Sequence, residues 1–216
     1  AHVELVLITG GHGTHLLSDA AWPIQRGDVF AIPPQMRHGY ADCDTLQLSN
    51  ICIDASWCDW NQLRSIPGFN AFITLEPLMR SQHDFSSHLQ LQDESIVRLE
   101  ELIAEMRREM ELQESGYIQS LKLRLDLLLI ELSRKHGQNS SHQHEALLQL
   151  EGVLRYIDAQ IGQTITLATL CTQAAMSVST LTRYFQRCFG CSPMHFVLQR
   201  RLQLAQDLLR NSERRI

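Results

Sequence analysis

The apolar residues of this chain change their spacing once, and that change restricts it to folds in which strands come first and helices follow. Between residues 3 and 53, Val, Leu, Ile and Phe fill short β-prone runs. Turn residues at Gly10-Gly11, Ser18-Asp19, Arg26-Gly27-Asp28 and Pro33-Pro34 punctuate them. Strands that short and closely spaced predict a barrel or sandwich. Residues 66–91, with Pro67-Gly68 and Glu76-Pro77, predict irregular structure that wraps the barrel. From residue 94 the spacing becomes three and four. Ile96, Leu99, Leu102, Ile103, Met106 and Met110 mark one amphipathic helix over 94–114, ended by Ser115-Gly116.

A second helix is predicted over 117–135, with one stripe at Ile118, Leu121, Leu125, Leu128 and Leu132 and a second apolar set at Leu123, Leu127, Leu129 and Ile130. A helix this apolar around its circumference buries more than one face. It is either sandwiched between the barrel and the preceding helix, or its outer face meets a second subunit. Residues 137–144 (GQNSSHQH) are polar and aperiodic, which predicts a linker whose two histidines, His142 and His144, are solvated.

The 216 residues, 44% of them hydrophobic, suffice for one large domain or two modest ones. No apolar run is long enough to span a membrane and no signal-peptide pattern opens the chain, so a cytoplasmic location is expected. The net charge of -5 is unevenly distributed: residues 151–216 carry 8 Lys/Arg against 4 Asp/Glu. A basic C-terminal part suits phosphate neutralisation, although it is also an ordinary surface composition. Six scattered cysteines form no dense framework, and Cys188-Phe189-Gly190-Cys191 lacks the further ligands of a zinc site and the strand-to-helix setting of a redox motif.

After the linker, Leu147, Leu150, Val153, Leu154 and Ile157 mark a helix that ends near Gly162. Thr166 is placed to cap a short helix over 167–174. Ser177 is placed to cap a third helix that Gly190 closes. The connection Ala174-Ala175-Met176 is short, so the pair has the form of a helix-turn-helix. At about 100° per residue, Leu181, Tyr184, Phe185 and Cys188 share one face of the third helix. Ser179, Thr182, Arg183 and Gln186 share the other, a set of donors and acceptors suited to base edges in the major groove of double-stranded DNA, with Arg183 the leading candidate for a base contact. Two short helices in any small bundle show the same division of faces.

Residues 167–209 resemble the first helix-turn-helix of the AraC/XylS family of regulators. The resemblance rests on Leu167-Ala168, Ser177, Leu181 to Phe185, Gly190, Ser192-Pro193, Arg201-Leu202, Ala205 and Leu208-Leu209. It implies a long helix from Ser192-Pro193 leading to a second unit, which would begin where the chain stops at Ile216. The fragment is therefore expected to hold about half of the DNA contacts, with a flatter salt dependence, by about 0.9 log units per lost phosphate contact.

The run from Gly27 through Pro33 to His38 resembles the second conserved stretch of cupins, with Gln35 where a Gly is usual. His2-Val3-Glu4-Leu5 resembles the tail of the first stretch, whose paired histidines would precede Ala1. With Ile66-Pro67-Gly68-Phe69-Asn70 and the helix pair, the N-terminal part resembles the sensor domain of sugar-responsive AraC-type regulators, including rhamnose-responsive ones. The expected fold is thus α+β. A cupin-like barrel (1–92) and a helical hairpin for dimerisation (93–136) precede a linker (137–144) and a partial helix-turn-helix domain (145–216). Glu4, Trp22, His38 and Tyr40 are the candidate effector contacts: an aromatic face for a sugar ring and polar groups for its hydroxyls. Each is also a plausible structural residue.

The expected partners are DNA, a sugar-like effector, a second copy of the chain and, for an activator, RNA polymerase. No membrane, cofactor, metal or catalytic set is expected. The competing reading is a metal-dependent cupin enzyme with an appended helical module, in which His38, Glu4 and the missing histidines hold the metal.

Overall fold

The computed structural model describes residues 2–17, 20–54, 56–80, 89–138 and 142–211. Two compact units result, Ala1–Glu145 and Ala146–Ile216. The expected turn at Ser18-Asp19 and part of the 137–144 linker lie outside the described residues, as do the side chains of His142 and His144. No helix among the described residues is long and apolar enough to cross a membrane.

The first unit is an antiparallel sheet of β1 (His2–Leu17), β2 (Ala20–Gln25), β3 (Asp28–Ile32), β4 (His38–Asp54) and β5 (Leu89–Gln90). β1 is central. β4 pairs along its whole length on one side, while β3 covers Glu4 to Leu7 and β2 covers His12 to Leu17 on the other. β5 extends the sheet beyond β3.

Two expectations change here. Gly10-Gly11 does not end a strand: β1 continues through it, with register shifts between Ile8 and Thr14. Gly11 has φ +68°, and a Cβ there would lie 2.3 Å from the Thr45 carbonyl oxygen, so the glycine permits a bulge where a turn was expected. Bulges bend a strand, and the bend is large. Glu4 and Leu17 would lie roughly 40 Å apart on a straight strand. Yet His38, which pairs with Leu17, brings its Nε2 to 3.5 Å from Glu4 Oε2. The sheet is therefore curled into a half-barrel. The second change concerns residues 66–91, which are more regular than expected. They contain a π-helical turn (Ala71–Leu75), a short helix and β5, while residues 81–88 lie outside the described set.

Strand alternation divides the core in two. Leu5, Leu7, Val29 and Ala31 face a large cluster shared with the helices. Val6, Ile8, Phe30 and Ile32 face the concave side with Ile24. After α1 (Trp60–Leu63) and α2 (Glu76–Arg80), two long helices, α3 (Asp93–Leu112) and α4 (Tyr117–Gly137), pack on the first cluster. They bury Ile96, Leu99, Leu102 and Ile103 from α3 and Leu121, Leu125, Leu128, Leu129 and Leu132 from α4. Leu129 of the second apolar set is buried with most of the first stripe, whereas Ile118 of that stripe is 40% exposed. Leu123, at 71% exposed, and Leu127 remain outside.

Three ionisable side chains of α2 and α4 are buried together. Glu76, Arg80 and His136 are each no more than 3% exposed. Glu76 Oε1 accepts from Arg80 Nη2 at 2.8 Å, and its Oε2 lies 2.5 Å from His136 Nε2. His136 is in the last turn of α4, so the Glu76 carboxylate ties that helix end to α2.

The second unit contains α5 (His142–Ala159), α6 (Leu167–Ala174), α7 (Val178–Phe189) and α8 (Pro193–Asn211). Leu150, Val153, Ile157, Leu170, Leu181 and Phe185 are each fully buried in it. The Phe185, Phe189 and Phe196 rings meet at centroid separations of 4.6 to 5.4 Å. Arg200 pairs with Asp158 at 2.6 Å, which joins α8 to α5.

Candidate functional site

On the concave side of the sheet, His15 is the centre of one rung. It is paired with Trp22 of β2 on one side and with Tyr40 of β4 on the other, so antiparallel pairing sets all three on one face. The His15 ring stacks on Phe30 at 4.4 Å and on Tyr40 at 5.4 Å, and it meets His38 edge-on at 5.9 Å. The Arg80 guanidinium lies 5.4 Å from the Phe30 centroid.

His15 is completely buried. Burial, reinforced by the charge of Arg80 and by His38, depresses its pKa to about 3, so the imidazole is neutral at physiological pH. A neutral ring carries one N–H donor and one acceptor. Neither ring nitrogen has a hydrogen-bond partner among the described residues, and the same holds for the buried hydroxyl of Tyr40. Burial, reinforced by the nearby Glu4 carboxylate and by Cys43, raises the Tyr40 pKa to about 12, which keeps that hydroxyl protonated.

The remaining candidates gather at the same place. Glu4 accepts from Asn50 Nδ2 at 2.9 Å, and its carboxylate lies 3.5 Å from His38 and 3.7 Å from His2. Glu4, Trp22, His38 and Tyr40, distant in sequence, thus share the face around His15. The sequence reading omitted His15, Phe30 and Arg80. No alternation in the sequence marked His15: Leu16 and Leu17 after it are both apolar, and only the structure shows that His15 and Leu17 are buried while Leu16 is exposed. His2, Glu4 and Cys52 also bring possible ligand atoms within 4.8 Å of one another, but His2 and Cys52 are exposed.

In the second unit, Thr166 and Thr169 form a reciprocal cap at the start of α6, and Ala175 in the left-handed region ends it. The Ser177 hydroxyl accepts from the Thr180 amide at 3.2 Å and starts α7. Leu181, Phe185 and Cys188 face inward. Ser179, Arg183 and Gln186 are exposed and Thr182 is half-buried, so the polar face points to solvent. Arg183 makes no hydrogen bond or ion pair with another described residue, whereas the Ser179 hydroxyl lies 3.0 Å from that of Ser177. Burial pushes the Cys188 thiol up to about 12 and raises that of Cys191, so both are protonated thiols rather than metal-ready thiolates.

A concave polar site on one unit and an exposed polar helix of a helix-turn-helix on the other define a ligand-responsive, DNA-binding transcription regulator as the class. Residues 1–129 match the AraC-like ligand binding domain, and residues 170–216 match a helix-turn-helix domain. The chain belongs to the AraC family of transcription regulators.

It is 28% identical to the HTH-type transcriptional activator RhaR of Klebsiella pneumoniae, with 99% of this chain and 73% of the relative covered. It is 25% identical to RhaR of Enterobacter sp. strain 638, with 97% and 72% covered. Among solved structures it is similar to the AraC-like transcriptional activator CuxR, at 13% identity and a TM-score of 0.39. The match covers 94% of this chain and 67% of that one.

Proposed function

We propose that this chain is the greater part of a transcription activator switched by a sugar-like effector, which binds in the concavity among Glu4, Trp22, His38, Tyr40 and His15. The observation that carries the reading is the buried neutral His15 beside the Tyr40 hydroxyl, both with polar atoms that the described residues leave without a hydrogen bond. Such groups are costly unless a polar guest satisfies them. Hydroxyls of a sugar ring match that need, the Trp22 indole offers its apolar face, and Glu4 offers acceptors. The names of the RhaR relatives support the activator sense.

Calorimetric titration of the chain with a panel of neutral monosaccharides tests this. One sugar is expected to bind while its epimers do not, and Tyr40→Phe with His15→Phe is expected to abolish the heat. A flat response to every sugar removes the effector assignment.

On the DNA side, Ser179, Thr182, Arg183 and Gln186 of α7 are proposed to read the major groove. Arg183→Ala is expected to weaken binding to the preferred site by about 1–3 kcal/mol and to relax preference at one base pair. A uniform loss across all sequences would assign Arg183 to the phosphates instead.

The exposed Leu123 and Leu127 on α4 are proposed as the centre of a homodimer contact. Leu123→Glu with Leu127→Glu is expected to give a monomer in sedimentation equilibrium, and an unchanged mass would exclude that face. The proposal is completed by a domain division close to 1–92, 93–136, 137–144 and 145–216, a cytoplasmic location and contact with RNA polymerase.

A contact chain offers a route for the signal. His15 stacks on Phe30, Arg80 lies over Phe30, Glu76 pairs with Arg80, and His136 of α4 meets Glu76. An effector acts through that chain only as far as it prefers one arrangement of it over another.

A further inference from the structure

Near the start of β1 the concave face carries two side chains, His2 and Cys52, that the effector reading does not use. His2 stands two residues before Glu4 on β1, and Cys52 of β4 pairs directly with Glu4. Strand alternation and cross-strand pairing therefore set all three on one face. Their possible ligand atoms, an imidazole nitrogen, a carboxylate oxygen and a thiol sulfur, all lie within 4.8 Å of one another.

The Glu4 carboxylate is divided between two tasks. Its Oε2 accepts from Asn50 Nδ2 at 2.9 Å and faces His38 at 3.5 Å. Its Oε1 faces His2 Nε2 at 3.7 Å, too long for a hydrogen bond, and accepts from no described residue. A carboxylate steadied through one oxygen while the other stays open is what outer-sphere donors provide for a metal ligand. Cys52 Sγ likewise makes no hydrogen bond with a described residue. His2 and Cys52 are both exposed, so an ion reaches them directly from solvent.

We propose that His2, Glu4 and Cys52 form a binding site for a divalent transition-metal ion of the zinc class. The donor set selects that class. Thiolate and imidazole favour zinc or cobalt, whereas magnesium and calcium take oxygen ligands and more of them. Binding forms the metal–sulfur bond and releases the Cys52 thiol proton to solvent. The Glu4 carboxylate and the Cys52 thiolate then balance the two positive charges, and His2 adds a neutral donor. Three protein donors leave the fourth tetrahedral position to water. This is not the set of the cupin-enzyme reading, in which His38 and histidines ahead of Ala1 join Glu4. It needs neither, and its thiolate comes from outside both cupin-like stretches.

The test is titration of the full, untagged and reduced chain with Co2+ followed by absorption, then with Zn2+. One Co2+ per chain is expected, with a near-ultraviolet thiolate-to-cobalt band and the visible bands of a tetrahedral ion. Stoichiometric Zn2+ is expected to remove these bands and excess Mg2+ to leave them. Cys52→Ser is expected to abolish the thiolate band and to weaken Zn2+ binding at least about tenfold. His2→Ala, at an exposed strand end, serves where that variant fails to fold, keeping the band but weakening both ions about tenfold. Cys43→Ser, the other exposed cysteine of β4, and Cys191→Ser are expected to change nothing. Absence of saturable Co2+ binding overturns the site. A thiolate band that survives Cys52→Ser, or that is lost in Cys43→Ser or Cys191→Ser, overturns the assignment by placing the ion elsewhere. The readout involves no sugar, so failure here leaves the effector reading of the His15 site intact, and the reverse.

Discussion

Glu76→Ala is expected to destabilise the first unit by about 3–5 kcal/mol, the range for removing one partner from a buried ion pair. Glu76 is 1% exposed, and its two oxygens serve Arg80 and His136, themselves 3% and 1% exposed. Removing the carboxylate leaves a guanidinium in a site where burial already depresses its pKa, an effect that Glu76 and Asp28 oppose. Measurement is direct because all three tryptophans, Trp22, Trp57 and Trp60, lie in the first unit. Urea denaturation followed by tryptophan fluorescence therefore reports on that unit.

Glu76→Gln keeps the shape and one acceptor, so its loss is expected to be smaller than that of Glu76→Ala. Replacing all three groups together, with Glu76→Leu, Arg80→Met and His136→Phe, is expected to recover much of the stability, because no charge is then left buried alone. If the triple variant is as unstable as Glu76→Ala, the loss comes from packing and the electrostatic account fails.

What could be read in advance follows a physical division. The helix-turn-helix was legible because its signals are local: Thr166, Ser177 and Gly190 each act within one turn of the helix they bound. The hairpin helices were legible for the same reason, through a 3.6-residue period. The strand half was less so. Gly10-Gly11 reads as a turn because bulges and turns both demand a residue free to take positive φ, and only the pairing with β4 shows which was built.

The buried triad was invisible, since Glu76 and His136 are sixty residues apart and nothing local to either announces the contact. Likewise, Gly68 reads as a loop glycine. The structure shows why it must be one: a Cβ there would lie 2.0 Å from the Ser133 carbonyl oxygen of α4. In the concave site, Glu4, Trp22, His38 and Tyr40 were nameable from residue type and resemblance. His15 was not, because the bulges after Ile8 break the alternation that would have assigned it a face.

His15 should make the first unit sensitive to mild acid. The sign follows from its two pKa values. In the unfolded chain the imidazole titrates near 6.5, whereas in the fold burial, Arg80 and His38 hold it to about 3. Between those values the unfolded chain binds a proton that the folded one does not. Stability contributed above the unfolded value is therefore lost progressively as pH falls from 6.5 toward 3. At pH 5 the loss from this residue is about 2 kcal/mol, from roughly 1.4 kcal/mol for each of the 1.5 pH units below the unfolded value.

Other groups titrate in the same window, so the measurement is a difference. Urea midpoints are taken at pH 7 and pH 5 for the parent chain and for His15→Gln, which places a neutral amide where the imidazole was. The parent is expected to lose about 2 kcal/mol more than the variant between the two pH values, with the variant the less stable at pH 7 because its packing on Phe30 and Tyr40 is poorer. Equal losses would mean that His15 gains its proton inside the fold, and the neutral ring on which the proposed effector site rests would have to be given up. A sugar that hydrogen-bonds the neutral imidazole makes protonation harder still, so saturating effector should lower the folded-state pKa and leave the residue uncharged to lower pH.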